Sequence, residues 1–203
     1  MCYRVQVSLK FAVLAALPEG EFSGYDLAKS FDASVVDFWQ PTPQQLYREL
    51  ERLSADGLVT ARVVEQERRP NKRMLSITSA GRRALREFTA ESAQPVTIRD
   101  ELLIKVQGCD VGDVEGVIAA IEERMAWSRA KLSRFERLRE RMLGGRPEGE
   151  NLRDNDRVGP YLTLLRGISF EQENLRWGEH GALILRQRAA TTAGSAERAT
   201  AST

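Results

Sequence analysis

The chain has 203 residues, 42% of them hydrophobic and 29% charged, which is typical of a soluble protein with one large or two small domains. A formal net charge of +1 excludes a global basic field, so any contact with nucleic acid must depend on local charge. No stretch approaches the ~18 consecutive apolar residues of a membrane span, and Cys2 and Cys109 have no disulfide or zinc spacing, so we expect a cytoplasmic protein.

Three short helices joined by tight turns are predicted over residues 5–57. The first has apolar residues at helical spacing from Val5 to Leu17 and ends before Pro18. Ser23 can cap the second helix, and a connector over residues 32–40 leads to the third. This order is that of a helix-turn-helix arrangement.

The third helix carries its own start and stop signals. Thr42 is a good N-cap, Pro43 suits the first helical position, and Gln45 completes a capping box. Gly57 can adopt the left-handed conformation that closes a helix. The sequence therefore predicts a helix that begins after Thr42 and ends before Gly57.

The two faces of this third helix differ in character. Leu46, Leu50 and Leu53 recur at helical spacing and form an apolar stripe. The opposite face carries two amides and two arginines, namely Gln44, Gln45, Arg48 and Arg52. Such groups can read base edges in the major groove of DNA, although the same pattern also fits an ordinary amphipathic surface helix.

A β-hairpin is predicted after Gly57, because the apolar period changes from 3.6 to 2. Residues 58–65 and 73–77 alternate as strands around the polar turn 66–72, and Thr78 can cap a fourth helix. From Arg62 to Arg86 eight cations face two acids, a local charge of +6. We therefore predict a winged helix-turn-helix DNA-binding domain over residues 1–92, whose hairpin arginines reach phosphates or the minor groove.

A second, helical part is predicted over residues 93–187, with a long helix up to Leu143, a loop over residues 144–160 and a returning helix. Apolar residues of the long helix follow the two seam positions of a heptad, interrupted at Ser128. We predict a homodimer formed by these helices, with an intramolecular helical hairpin as the alternative. The expected dimerisation residues are Ile118, Ile121, Met125, Leu132, Phe135, Leu165, Ile168 and Leu175.

The end of the chain, residues 188–203, is small and polar without periodicity. Such a segment buries too little surface to offset the cost of ordering. We expect a disordered tail there.

The chain resembles the PadR family of bacterial transcriptional regulators over residues 5–186. The likeness is carried by Gly24-Tyr25-Asp26-Leu27, by Leu46-Tyr47-Arg48-Glu49-Leu50-Glu51-Arg52-Leu53 with Gly57-Leu58-Val59, by Ile77-Thr78-Ser79-Ala80-Gly81-Arg82, and by the C-terminal helices with Trp177. It implies a mainly α fold with a small β-hairpin wing and a helical dimerisation domain. It also implies a dimeric repressor that binds an inverted-repeat operator and is sometimes released by a small aromatic compound.

The resemblance also assigns contacts by position. Tyr25, Thr42, Gln44, Gln45, Tyr47 and Arg48 would face the DNA, and Arg68, Arg69, Lys72 and Arg73 would form the wing contacts. The family commonly has an aromatic residue where Leu75 stands. We expect that position to pack inward, with the DNA contacts unaltered.

Four aromatic residues are candidates for an effector pocket, namely Trp39, Trp127, Tyr161 and Trp177. Flat apolar ligands would suit such walls, but aromatic residues on helices also serve as ordinary core.

Catalysis, cofactors and metals are not expected, because His180 is the only histidine and no CxxC or phosphate-binding loop occurs. The alternative function is a helical protein-interaction module whose winged helix does not bind DNA, which would not need the hairpin cations. A MarR-like dimer fits less well, since nearly all of the extra helix is C-terminal.

Overall fold

A computed structural model of the chain describes residues 3–17, 20–27, 41–65, 72–93 and 98–200. The chain divides into two compact units, residues 1–95 and 96–203, three residues beyond the boundary expected from the sequence. The fold is mostly helical with one small antiparallel sheet, and the predicted fold class is confirmed.

The first unit is a winged helix. Its elements are α1 (Tyr3–Ala16), β1 (Phe22–Ser23), a helical turn over residues 24–27, α2 (Pro43–Ala55), β2 (Val59–Val64), β3 (Lys72–Ile77) and α3 (Ser79–Ala90). The strand order is β1-β3-β2, with Phe22 opposite Leu75 on one side and Val59 opposite Ile77 on the other. The two-residue β1 was not predicted, because a strand so short has no period to detect.

The core of this unit forms where α1, α2 and the sheet meet. Its most buried members include Val13, Leu53 and Val59. Leu75 is 3% exposed, so the expected inward packing at this position is confirmed. Phe11 of α1 stacks on Phe88 of α3 with ring centroids 4.0 Å apart, which joins the first and last helices of the unit.

The predicted caps of α2 are present. Thr42 Oγ1 accepts from the Gln45 amide at 3.2 Å, and Gln45 Oε1 accepts from the Thr42 amide at 2.8 Å. Gly57 has a φ of 69°, the left-handed conformation expected of it. The helix therefore begins and ends where its local sequence specifies.

The end of α2 is joined to the start of α3 through Thr78 and Gly81. The Thr78 hydroxyl donates to the Gly57 carbonyl at 2.8 Å and accepts from the Gly81 amide at 3.1 Å. A Cβ at Gly81 would lie 2.2 Å from the Leu58 carbonyl oxygen, so only glycine permits this close approach. These contacts fix the exit of the hairpin against the end of α2.

The second unit is built on an antiparallel pair of long helices. Its elements are α4 (Glu101–Gln107), α5 (Val114–Leu143), α6 (Glu148–Asp154) and α7 (Gly159–Thr200). α5 packs along α7, and α4 packs on α5. Across the ranges that the structure describes, no helix is both long and apolar enough to cross a membrane.

Two expectations about this unit are wrong. The segment 144–160, expected to be a loop, contains α6, and residues 188–200, expected to be disordered, continue α7. The alanine, arginine and glutamate residues after Gln187 are strong helix formers. They extend a helix that is already nucleated, which requires no apolar stripe.

The predicted dimer seam is mainly the intramolecular core of the α5–α7 hairpin, which was the alternative interpretation. Five seam residues are at most 7% exposed within one chain, namely Ile118, Ile121, Met125, Phe135 and Ile168. Their assignment to a contact between two copies is therefore wrong. A heptad pattern shows that a partner helix exists, but not which chain carries it. The other three, Leu132, Leu165 and Leu175, are partly buried against the same core, and their dimer role stays a prediction.

A polar layer divides this hairpin core at Ser128, where the heptad series is interrupted. Ser128 is fully buried, and its hydroxyl has no hydrogen-bond partner among the residues that the structure describes. Beside it on α7, Glu171 is 3% exposed and accepts from Lys131 Nζ at 3.2 Å. Apolar clusters lie on either side of this layer, one around Ile121 and the other around Phe135.

Candidate nucleic-acid interface

The exposed face of α2 presents polar side chains to solvent. Gln44, Arg48 and Arg52 lie on one stripe at i, i+4 and i+8, and all three are exposed. Among the described residues, Arg48 has no ion-pair or hydrogen-bond partner. Its guanidinium is therefore available to a ligand.

Two predicted DNA contacts on α2 have a structural task of their own. The Thr42 hydroxyl and the Gln45 side-chain oxygen are both engaged in the capping box. The Gln45 amide nitrogen remains as a hydrogen-bond donor at the exposed N-terminal end of the helix. Both residues thus lie at the start of α2, as expected, and some of their hydrogen-bonding groups are already engaged in the cap.

Two tyrosines lie next to this face. Tyr25, on the helical turn after β1, is 71% exposed, and Tyr47 on α2 is 47% exposed. A Cβ at Gly24 would lie 2.8 Å from Cε1 of Tyr47, so the Tyr47 ring packs directly on the Gly24 backbone. Tyr47 therefore both positions the helical turn against α2 and exposes part of its ring.

A groove of about 330 Å³ separates the helical turn, α2 and β3. Its walls are formed by Ser23, Gly24, Tyr25, Tyr47, Leu50, Glu51, Lys72, Arg73 and Leu75. Two tyrosines and two cations thus line one concave surface beside the exposed face of α2. Such a surface can take a segment of sugar-phosphate backbone.

Two of the hairpin cations are paired with carboxylates of the segment before α2. Arg62 Nε donates to Glu21 Oε1 at 3.0 Å, and Lys72 Nζ lies 3.1 Å from Asp26 Oδ2. When these carboxylates are included, the local charge of +6 expected from the sequence falls to +4. The positive charge of the wing is therefore smaller than its cation count indicates.

The electrostatics of these acids follow from their partners. Hydrogen bonds from Ser23 and then from Lys72 lower the pKa of Asp26, and the Arg62 hydrogen bond lowers the pKa of Glu21. On α2 itself, burial raises the pKa of Glu49, which is 5% exposed and has one carboxylate oxygen without a hydrogen-bond partner. Sequence reasoning quoted Asp26 and Glu49 only as parts of the family motifs and gave none of the three acids a role. The Ser23–Asp26 spacing, typical of a capped helix start, was the detectable signal.

Some predicted site residues cannot be placed. Arg68 and Arg69 of the wing turn and Trp39 of the connector lie outside the described residues. Of the predicted wing contacts, Lys72 and Arg73 are described, and Arg73 Nη2 donates to Ser54 Oγ over a long 3.5 Å.

The three described aromatic residues proposed for an effector pocket do not all meet within the helical unit. Trp127 is 59% exposed, whereas Tyr161 is 2% exposed and accepts a hydrogen bond from Arg139 Nε at 3.1 Å. Trp177 packs against the apolar cluster around Ile121. Tyr161 and Trp177 are 16 positions apart on α7, or about 24 Å along the helix. Tyr161 and Trp177 therefore cannot line one pocket of a single protomer, and an aromatic pocket at the domain junction or the dimer seam stays a prediction. Among the residues whose placement is described, no cluster of three or more His, Cys, Asp or Glu could hold a metal.

Two family models match the chain. Residues 13–87 match the Transcriptional regulator PadR-like family, and residues 98–186 match Virulence activator alpha C-term. The first covers α2 and the wing, and the second covers most of the helical unit.

Named relatives match over most of their lengths. The Negative transcriptional regulator PadR of Bacillus subtilis is 27% identical over 172 residues, which cover 84% of this chain and 93% of that protein. Its crystal structure in complex with operator DNA has a TM-score of 0.75 and 25% identity, covering 88% of this chain and 99% of the other. Its complex with p-coumaric acid has a TM-score of 0.70 and 24% identity, covering 89% and 97%. The Vibrio cholerae virulence activator AphA has a TM-score of 0.67 and 28% identity, covering 89% and 99%.

Proposed function

We propose that this chain is a PadR-like transcriptional regulator, which binds double-stranded operator DNA as a homodimer and represses transcription. The observation that carries the proposal is the exposed face of α2, where Arg48 has no partner among the described residues and lies beside a groove lined by cations and tyrosines. The Bacillus relative, solved with operator DNA and named a negative regulator, supports both the ligand and the sense of regulation.

The proposed contacts divide into two classes. α2 enters the major groove with its N-terminal end, where Gln44 and Arg48 reach base edges; arginine at guanine is the commonest specific contact. Tyr25, Tyr47 and Arg73 face the sugar-phosphate backbone and fix the position of the helix without reading sequence. Thr42 and Gln45 hold the end of α2 in shape and offer the remaining Gln45 donor.

The proposed homodimer requires a surface other than the buried seam. α7 carries a second apolar stripe, with Phe170 and Ile184 about half exposed and Trp177 between them at intervals of seven. Leu162 is 55% exposed nearer the start of the same helix. Pairing of two such stripes would bury apolar area that a monomer leaves in water. The dimer would bind an inverted repeat, because a two-fold protein matches two-fold DNA.

A small aromatic effector forms part of the proposal, and the p-coumaric acid complex of the Bacillus protein supports it. The effector would act by lowering the affinity of the dimer for DNA. Titration of p-coumarate into the protein–DNA complex is expected to release the DNA, while benzoate at the same ionic strength controls for salt. Equal effects of the two anions would contradict recognition of an extended aromatic compound.

The test of the function is selection of bound duplexes from a randomised pool, together with sedimentation equilibrium. We expect an enriched inverted repeat, with half-sites about 10 base pairs apart or a multiple of that spacing, and the mass of two chains. A transcription assay on the enriched site should show repression. No enriched sequence would favour the protein-interaction module, and a single-chain mass at micromolar concentration would contradict the dimer.

A further inference from the structure

Two neighbouring cations on β3 have different surroundings. Lys72 and Arg73 are adjacent on β3, and both line the groove. Lys72 Nζ lies 3.1 Å from the carboxylate of Asp26, whereas among the described residues Arg73 hydrogen-bonds only to the neutral Ser54 hydroxyl, at 3.5 Å. The charge of Lys72 is therefore neutralised locally and that of Arg73 is not.

Asp26 connects Lys72 to the helical turn that carries Tyr25. The Ser23 hydroxyl donates to Asp26 Oδ2 at 2.6 Å and accepts from the Asp26 amide at 3.0 Å, which fixes the carboxylate at the start of the turn. Arg62 and Glu21 form a second ion pair between the hairpin and the segment before the turn. Both pairs thus join the hairpin to residues 21–26.

We propose that Lys72 is a positioning residue, which holds the hairpin through Asp26 at the distance from the helical turn where Arg73 and Tyr25 contact the same DNA backbone. This inference rests on the proposed DNA binding and deepens it. Lys72 and Arg73 are adjacent cations in the sequence, and the proposal gives them different roles. Arg73 contacts phosphate, and Lys72 fixes the width of the groove without contacting DNA.

Under the proposal, removing the charge of Asp26 weakens DNA binding, whereas electrostatic repulsion alone predicts that it strengthens binding. Removing a carboxylate near DNA removes repulsion and should strengthen binding if charge alone counts. If Asp26 holds the hairpin, Asp26→Asn should weaken specific binding roughly two- to fivefold, the effect expected from loss of an exposed ion pair. Asparagine keeps an acceptor for Ser23, so the helical turn retains that contact.

Glu51 supplies a matched control in the same groove. It lines the groove and has no ion pair with any described residue. Glu51→Gln makes the same change of charge and is expected to strengthen binding. Opposite signs for Asp26→Asn and Glu51→Gln support the positioning role, and the same sign for both overturns it.

The dependence of affinity on salt distinguishes Lys72 from Arg73. The slope of log K against log salt is negative, and loss of one phosphate contact reduces its magnitude by about 0.9. Arg73→Met is expected to make the slope shallower by that amount. Lys72→Met is expected to weaken binding with an unchanged slope, and Lys72→Arg is expected to retain binding close to that of wild type. A shallower slope for Lys72→Met would make Lys72 a phosphate contact and overturn the proposal.

The measurement is fluorescence anisotropy of wild type and these variants against the duplex enriched from the randomised pool, with amide hydrogen exchange on the free proteins. Asp26→Asn and Lys72→Met are expected to speed exchange over residues 22–27 and 72–77 roughly two- to fivefold. Unchanged exchange in both variants overturns the positioning role, whatever happens with DNA. If wild type enriches no sequence, the proposed function fails, and the exchange result alone decides the role of the ion pair.

Discussion

At the scale of single residues, Arg48 is the side chain best placed for base recognition. It is exposed near the N-terminal end of α2, has no partner within the described part of the chain, and lies one turn from Gln44. An arginine that donates two hydrogen bonds to a guanine discriminates against the wrong base by roughly 1–3 kcal/mol. Its contribution should therefore be to sequence preference as well as to affinity.

We predict that Arg48→Ala weakens binding to the enriched duplex by roughly 1–3 kcal/mol and relaxes preference at one base pair of each half-site. Competition assays with single-base variants of the duplex measure this. Arg153→Ala is the control, since Arg153 is exposed on α6 and remote in sequence from α2. Retention of full affinity and preference by Arg48→Ala would remove Arg48 from the set of base contacts.

The second prediction concerns Gly81, where a side chain would meet the Leu58 carbonyl. Gly81→Ala should lower the free energy of unfolding of the first unit by roughly 1–3 kcal/mol, because a Cβ overpacks a contact between two backbones. Scanning calorimetry measures the shift. Gly149→Ala adds the same methyl group where nothing lies within 4 Å and should leave stability unchanged or slightly raised. Equal stabilities for the two variants would show that the α2–α3 junction tolerates expansion.

The residue-scale features that the sequence predicted are local ones. The caps at Thr42 and Thr78 and the left-handed Gly57 were predicted because each depends on residues within four positions. The Arg62–Glu21 pair was not, since its members are 41 positions apart and only the folded sheet brings them together. The net charge counted over residues 62–86 was therefore correct. It overestimated the local positive field, because the count left out the acids of residues 21–26.

At the scale of elements, the α5–α7 hairpin shows what a heptad pattern establishes. The pattern predicted a partner helix and the interruption at Ser128, and the structure has both. It did not specify that the partner was the returning helix of the same chain. The end of α7 was missed for a related reason, since helix propensity continues that helix where no apolar stripe remains.

The ion pair between Asp100 and Arg124 gives the element-scale prediction. Asp100 caps α4 by accepting from the Leu102 amide, and it accepts two hydrogen bonds from Arg124 of α5 at 2.8 and 3.0 Å. The Arg124 hydrogen bonds lower the pKa of Asp100. A lowered pKa in the folded state stabilises the fold above the ordinary pKa of aspartate, and this contribution is lost as pH falls through the folded value.

Asp100→Asn keeps the cap and removes the charge, so we expect a loss of about 1 kcal/mol in unfolding free energy near pH 7. The difference from wild type should vanish at a pH below the lowered value. Urea denaturation at several pH values measures both effects. Asp113→Asn is the matched control, because Asp113 precedes α5 without a side-chain cap bond. A deficit that persists in acid would assign the effect to packing instead of charge.

At the scale of the whole molecule, two compact units have separate proposed tasks. The first presents α2 and the groove to DNA, and the second presents an exposed apolar stripe on α7 to a second copy. The fold class and the resemblance to the PadR family could be predicted from sequence, because they depend on local signals in a fixed order. The surface proposed for dimerisation could not, because burial of the heptad seam inside one chain is a property of the folded hairpin.

The most direct measurement is fluorescence anisotropy of the pure protein with its enriched duplex and with a scrambled duplex of equal composition, over a series of salt concentrations. A sequence-specific regulator should prefer the enriched duplex by about 10³ or more, with affinity falling steeply as salt rises. Equal affinity for the two duplexes across the series, or no binding to either at low salt, would contradict the proposed function.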